Sequence, residues 1–197
     1  MSVKTHLTDF VKTAFILSLF VVSIWSATMW PKTGDTPSDR PVVDGVIGSD
    51  EYPHSETLDS LQLYWYNDEE DLYVGIVSPG HGWVGIGFFP FVVHSGASFV
   101  LGAVIDNETV VSDEYGTMPY QHEPDIGLGG TFDVLEYSGT EKGGTVLEFH
   151  IKLDSGDSYD AVLEPGKTYN CLIAYNLSDD DFTVKHSYRV KYVLTLD

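Results

Sequence analysis

Cysteine is nearly missing from this chain: 197 residues carry one, Cys171. An internal disulfide is therefore excluded, and so are a CxxC metal site and a CxxCH haem-attachment site. Basic residues are also scarce, ten Lys and Arg against 30 Asp and Glu, for a formal net charge of −20. That balance argues against nucleic acid as a partner, because counterion release needs clustered Lys and Arg. It argues equally against docking on anionic lipid headgroups. No GxSxG, HExxH, P-loop or dinucleotide fingerprint occurs, which points away from an enzyme. The acidic runs Glu69-Glu70 and Asp179-Asp180-Asp181 lack EF-hand spacing and read as solvated loops.

One long hydrophobic run is present. Thr13–Trp30 contains no charge and would extend about 27 Å as a helix, enough for a thin bilayer. Lys4 and Lys12 precede it, which predicts the N-terminus inside and the rest of the chain outside the cytoplasm. Trp25, Met29 and Trp30 make a poor cleavage site, so an uncleaved anchor is preferred to a signal peptide. Either reading puts the domain on the extracytoplasmic side, single-pass or secreted. The segments follow as a tail over 1–12, an anchor or signal over 13–30, a Pro/Gly-rich linker over 31–41, and one domain over 42–197.

Beyond the linker, short alternating segments succeed one another. Leu61–Tyr66, Leu72–Ser78, Gly82–Phe89, Ser98–Ile105, Thr109–Asp113, Phe132–Tyr137, Thr145–Leu153, Thr168–Tyr175 and Ser187–Leu196 are bounded by turn residues. No long segment combines helical periodicity with caps. The pattern predicts an all-β, antiparallel, immunoglobulin-like sandwich preceded by one hydrophobic helix. Glu114–Gly130 reads as a long loop with a covering or functional role.

Alternation sorts the histidines. His186 begins the apolar face of the last strand, ahead of Tyr188, Val190, Tyr192, Leu194 and Leu196. His150 shares a face with Glu148 and Lys152 and is expected in water. His94 lies among apolar residues between two strands, at a pocket rim. His54, His81 and His122 fall in loops. Taken singly, each is most simply a core or capping histidine, since a ligand role needs a second ligand and a cavity. Gly85 and Gly87 lack side chains on one face of their strand, which leaves a flat notch.

The run Gly82-Trp83-Val84-Gly85-Ile86-Gly87-Phe88 resembles the GWVAIGF signature of DOMON domains. In order after it, Ser95–Gly102 is similar to the family's GADVVVG strand. Leu147-Glu148-Phe149 with Leu153–Asp157 is similar to LEFSRPLDTGD. Leu163–Gly166 and Leu172–Tyr175 resemble its L.PG and WAYG pieces, and Val43–Val46 resembles the opening of related sugar-binding sandwiches. The resemblance spans Val42 to Leu196. It implies a β-sandwich that binds either haem b or a sugar.

In the family's cytochrome members a methionine before the GAD strand and a histidine near the last strand hold the iron. Those positions fall here on His94 and His186, so the resemblance implies bis-His ligation, with His94 where methionine is usual and hence a lower potential. Met118 is a rival to His94, and Lys185 to His186. Phe88, Phe89, Phe91 and Tyr188 are candidates for the porphyrin walls. The expected function is non-covalent haem b binding and electron transfer to a redox partner that the acidic surface would steer. Two alternatives stand beside it: a carbohydrate- or small-ligand-binding module using Tyr64, Trp65, Tyr66 and Trp83, and a purely structural domain.

Overall fold

The computed structural model describes residues 40–89 and 94–197, with the backbone alone at Phe89. The tail over 1–12, the hydrophobic segment over 13–30, most of the 31–41 linker, and Phe91 lie outside the described residues. Among the described residues no helix is long and apolar enough to cross a membrane.

Alternation builds the core. In β2 (Leu61–Asn67) the side chains of Leu61, Leu63 and Trp65 point inward and are buried, while Gln62, Tyr64 and Tyr66 point out. β3 (Asp71–Val77) supplies Leu72, Val74 and Ile76; β9 (Thr145–Lys152) supplies Leu147 and Phe149. With β1 (His54–Leu58) and β8 (Val134–Glu141) these strands form a five-stranded antiparallel sheet in the order β1-β2-β3-β9-β8. A second, six-stranded sheet contains β4 (Val84–Phe89), β5 (Ser98–Ile105), β6 (Glu108–Met118), β7 (Gln121–Pro124), β10 (Thr168–Tyr175) and β11 (Tyr188–Thr195). Its order is β11-β10-β4-β5-β6-β7. The inner faces of the two sheets meet in one apolar cluster that includes Val84, Ile86, Phe88, Val100, Phe149, Ile173 and Leu194. The all-β antiparallel sandwich is as the sequence predicts.

The stretch 114–130 is not a loop. β6 continues to Met118, turns, and returns as β7, after which a four-residue helix α1 (Asp125–Leu128) closes on Gly129. Its Pro and Gly content reflects a tight hairpin with an irregular register rather than an unstructured cover. β1, with one hydrophobic residue in five, carries too little alternation to be read as a strand.

His150 is not in water. The segment 42–52 lies across the outer face of the five-stranded sheet, where Gly75 leaves room for Ile47: a Cβ there would sit 2.8 Å from Ile47 Cδ1. The buried Glu148 carboxylate fastens the segment by accepting bonds from Gly45 N and the Tyr52 hydroxyl, both 2.8 Å. His150 is buried beside it, stacked on Tyr73 at 4.2 Å and 3.1 Å from Asp71 Oδ1. Arg40 also reaches Asp68 and Asp71, so the last residues of the expected linker already belong to the domain.

Candidate functional site

The outer face of the six-stranded sheet carries a second apolar layer. Odd-numbered positions of β4 point this way, and there Gly85 and Gly87 stand beside Leu101 and Phe99 of β5. A Cβ on Gly87 would lie 2.4 Å from the Phe99 ring, and one on Gly85 would lie 2.3 Å from Leu101. The two glycines therefore do not leave an open notch. Their neighbours' side chains lie flat over them and form a floor with Trp83, Ala97, Ala103 and Ala174, on which Phe182 packs.

Above this floor is a cavity of about 430 Å³, lined by Trp83, His94, Tyr120, His122, Phe182–His186 and Arg189. That volume falls in the range of small-molecule and cofactor sites. Three imidazoles thus reach one cavity from three places in the chain: the β4–β5 connection, the β6–β7 hairpin, and the β10–β11 loop.

Each is positioned by identifiable contacts. His94 begins a turn in which Ala97 N donates to its carbonyl at 2.9 Å. Gly96 N donates to Gly116 O and Gly116 N to Ala97 O, both 2.8 Å. Gly96 has φ of +81°, which suits a glycine. The β10–β11 loop is bracketed by Trp83: its indole N–H donates to Val184 O at 3.1 Å and its main-chain N–H to Asp179 O at 3.0 Å. The Asn176 amide donates to Lys185 O at 3.0 Å, fixing the residue beside His186. His122 contacts the buried Glu114 carboxylate through Nδ1, and Ser112 Oγ donates to the other carboxylate oxygen at 2.7 Å. A proton on Nδ1 leaves the His122 lone pair on Nε2, as in carboxylate-backed metal ligands.

The electrostatics favour neutral imidazoles. Burial lowers the pKa of His94, and the positive charges of His122, Arg189 and His186 add to the shift. Burial also lowers that of His186, reinforced by Arg189 and Lys185. Neutral imidazole is the form that offers a lone pair to a metal. Two of the chain's ten basic residues, Lys185 and Arg189, line this one cavity on a protein of net charge −20. Such a pair suits the carboxylates of a bound anion-bearing ligand.

His94 and His186 are brought together on this cavity, but not by the route alternation suggested. β11 starts at Tyr188, so His186 belongs to the preceding loop. It lines the outer-face cavity with Arg189, whereas Tyr188 and Val190 turn to the inner core. Phe88 and Tyr188 do not wall the cavity: Phe88 is 1% exposed inside the main core, and Tyr188 packs on that core with its ring 5.5 Å from Tyr175. The described walls are Trp83, Tyr120 and Phe182, with Phe99 5.4 Å ring to ring behind His94. Met118 is 56% exposed at the hairpin tip and outside the lining, whereas Lys185 is part of it. Trp65 is buried in the main core, which removes one of the four aromatics a sugar platform would use, whereas Trp83 lines this cavity. His122 escaped the sequence reading because its neighbourhood read as loop; its ring stands 6.5 Å from that of His94.

These residues fit haem b: imidazole donors, aromatic walls and two cations share one cavity of suitable size. The chain matches the cytochrome b domain of pyranose dehydrogenase from Coprinopsis cinerea with a TM-score of 0.50 at 15% identity, over 71% of this chain and 80% of that one. It matches the cytochrome domain of Myriococcum thermophilum cellobiose dehydrogenase with a TM-score of 0.50 at 11% identity, over 73% and 81%. At such identities the likeness concerns the fold alone. No curated protein matches the sequence. Residues 58–176 match the DOMON domain model, a span that includes His94 and stops short of His186. The chain belongs to the DOMON domain family.

Proposed function

We propose that this domain is a b-type cytochrome that binds haem b non-covalently, with His94 and His186 as axial ligands, and transfers electrons. The observation that carries the reading is the convergence of two partly buried imidazoles and two cations on one aromatic-walled cavity. Haem supplies one-electron chemistry when bound. The chain's residues would hold and tune it: His94 and His186 offer lone pairs, and Trp83, Tyr120 and Phe182 supply aromatic walls. Arg189 and Lys185 complement carboxylates. With two strong ligands no open position remains for a substrate, so the reading includes no catalytic residue. The resemblance of the His94 and His186 positions to the family's ligand positions, and the two cytochrome domains of like fold, support it. The hydrophobic run over 13–30 extends the proposal to a membrane-anchored, extracytoplasmic module. The acidic surface suits a redox partner with a basic docking face.

His122 is a second partner that a specific distance offers, 6.5 Å from His94 ring to ring. His186 is preferred because it stands at the position near the last strand where the family's histidine ligand falls, although the Glu114 contact leaves Nε2 of His122 equally free to ligate. The test is the absorption spectrum of protein produced with haem supply. The expected result is a red, six-coordinate protein whose Soret and visible bands change in His94→Ala and His186→Ala and persist in His122→Ala. A colourless wild type, or loss in His122→Ala with His186→Ala unaffected, would refute the assignment.

A further inference from the structure

A second cluster of ligand-type side chains lies away from the histidine cavity, at the edge of the inter-sheet core. One carboxylate oxygen each from Asp113, Asp133 and Asp160 falls within 4.8 Å of the other two. An ion touching all three at about 2.4 Å requires oxygens no farther apart than about 4.8 Å, so one calcium-sized cation can meet them together. The recess they line, with Ser98, Ser155, Phe88 and Leu163, leaves about 10 Å³ for the centre of a water-sized sphere. That is room for one ion or one water.

The carboxylates are held in place, and among the described residues no cation pairs with them. Ser98 and Ser155 hydroxyls donate to Asp160, Asp133 N donates to Asp113 Oδ2 at 2.8 Å, and the Thr131 hydroxyl donates to Asp133 Oδ2 at 2.6 Å. Lys152 lines the same recess, but its ammonium sits 2.8 Å from Asp71 and 3.5 Å from Glu70.

An independent observation points to a missing ligand. Asp125, at the start of α1, is 0% exposed, and neither of its carboxylate oxygens has a hydrogen-bond partner. The acidic groups that act on it are Asp113 first, then Asp160, Asp157 and Glu114, so its carboxylate lies close to this cluster. A buried carboxylate with nothing to accept from is costly unless it is protonated or meets a cation.

We propose that Asp113, Asp133 and Asp160, backed by Asp125, bind one divalent cation of the calcium class. An all-oxygen donor set selects a hard cation. Magnesium, which keeps several of its waters, does not fit so small a recess.

The experiment is a calcium titration of the EDTA-treated full chain at pH 7, followed by calorimetry and by melting temperature. The expected result is one site with Kd on the order of 10⁻⁴ to 10⁻³ M and a saturable rise in melting temperature. Asp160→Asn and Asp113→Asn should weaken binding at least about tenfold. If either fails to fold, Asp133→Asn, only half-buried, carries the same test. Absence of heat and of stabilisation up to ~10 mM calcium would overturn the proposal and leave a protonated acid cluster. An equal rise with magnesium, which reports screening of surface charge, would overturn it too.

Discussion

The carbonyl oxygen of His94 rests against the α-carbon of Gly116: a Cβ added to that glycine would lie 1.7 Å from the oxygen. β6 therefore sets the height of the turn that presents His94 to the cavity, and does so through backbone, which cannot step aside as a flexible side chain would. Gly116→Ala is expected to displace the turn, at a cost of about 1–3 kcal/mol in stability. Its larger effect should be on haem uptake, read as a drop in the Soret-to-protein absorbance ratio. A variant that keeps wild-type haem content would show that His94 is not held this way.

Trp83 plays the corresponding part for His186. Trp83→Phe keeps an aromatic ring on the floor but removes the indole bond to Val184 O. The loss of that bond is worth ~1 kcal/mol. The expected outcome is a folded domain with weaker haem retention and a mixed ligation spectrum, while His94-dependent features persist. Haem transfer to apomyoglobin, followed by absorbance, measures the retention.

The acid cluster gives the metal-free domain a definite pH dependence. Burial and neighbouring carboxylates push Asp113 and Asp125 up to about 7. Acids raised in the folded state contribute stability that is fully present below their unfolded pKa of about 4 and is lost as pH rises through about 7. His94 and His186, lowered on folding, slope the other way through the unfolded histidine range. The comparison is therefore with Asp125→Asn, which keeps both histidines. In EDTA, urea midpoints of the wild type should fall relative to that variant between pH ~4.5 and ~7.5. Parallel pH profiles would contradict it.

Glu148→Ala removes the acceptor shared by Gly45 N and Tyr52 Oη. Each buried donor left without a partner costs about 1–3 kcal/mol, so the 42–52 segment should detach and the domain should lose several kcal/mol. Hydrogen exchange at residues 42–52 reads the detachment directly. Unchanged protection there would show that the segment is held by other contacts.

Much of the architecture was legible because period-two alternation survives in β2, β9 and β11, because β5 and β10 are short apolar runs bounded by turn residues, and because Gly82–Phe88 carries a recognisable run. Burial on the outer faces was not. His150 and Glu148 alternate as polar residues should, yet the 42–52 segment covers Glu148 and Tyr73 stacks on His150, and nothing local to β9 announces either. His186 shows the same limit. Its parity assigned it to the inner face, but the strand begins two residues later, and the loop before it turns the ring to the opposite side. Phe88 was misplaced for the converse reason, since its parity with Val84 and Ile86 puts it in the core. His122 and the Asp113–Asp133–Asp160 group were out of reach, because both depend on β6, its hairpin and the β8 approach meeting in space.

The claim on which the account turns is that one iron is held by the imidazoles of His94 and His186. Near-infrared magnetic circular dichroism of the ferric, haem-loaded protein reads the axial pair directly. The account predicts a single low-spin charge-transfer band at the bis-imidazole position, abolished in His94→Ala and in His186→Ala. A band at the methionine–histidine or lysine–histidine position, or no low-spin band at all, would contradict it.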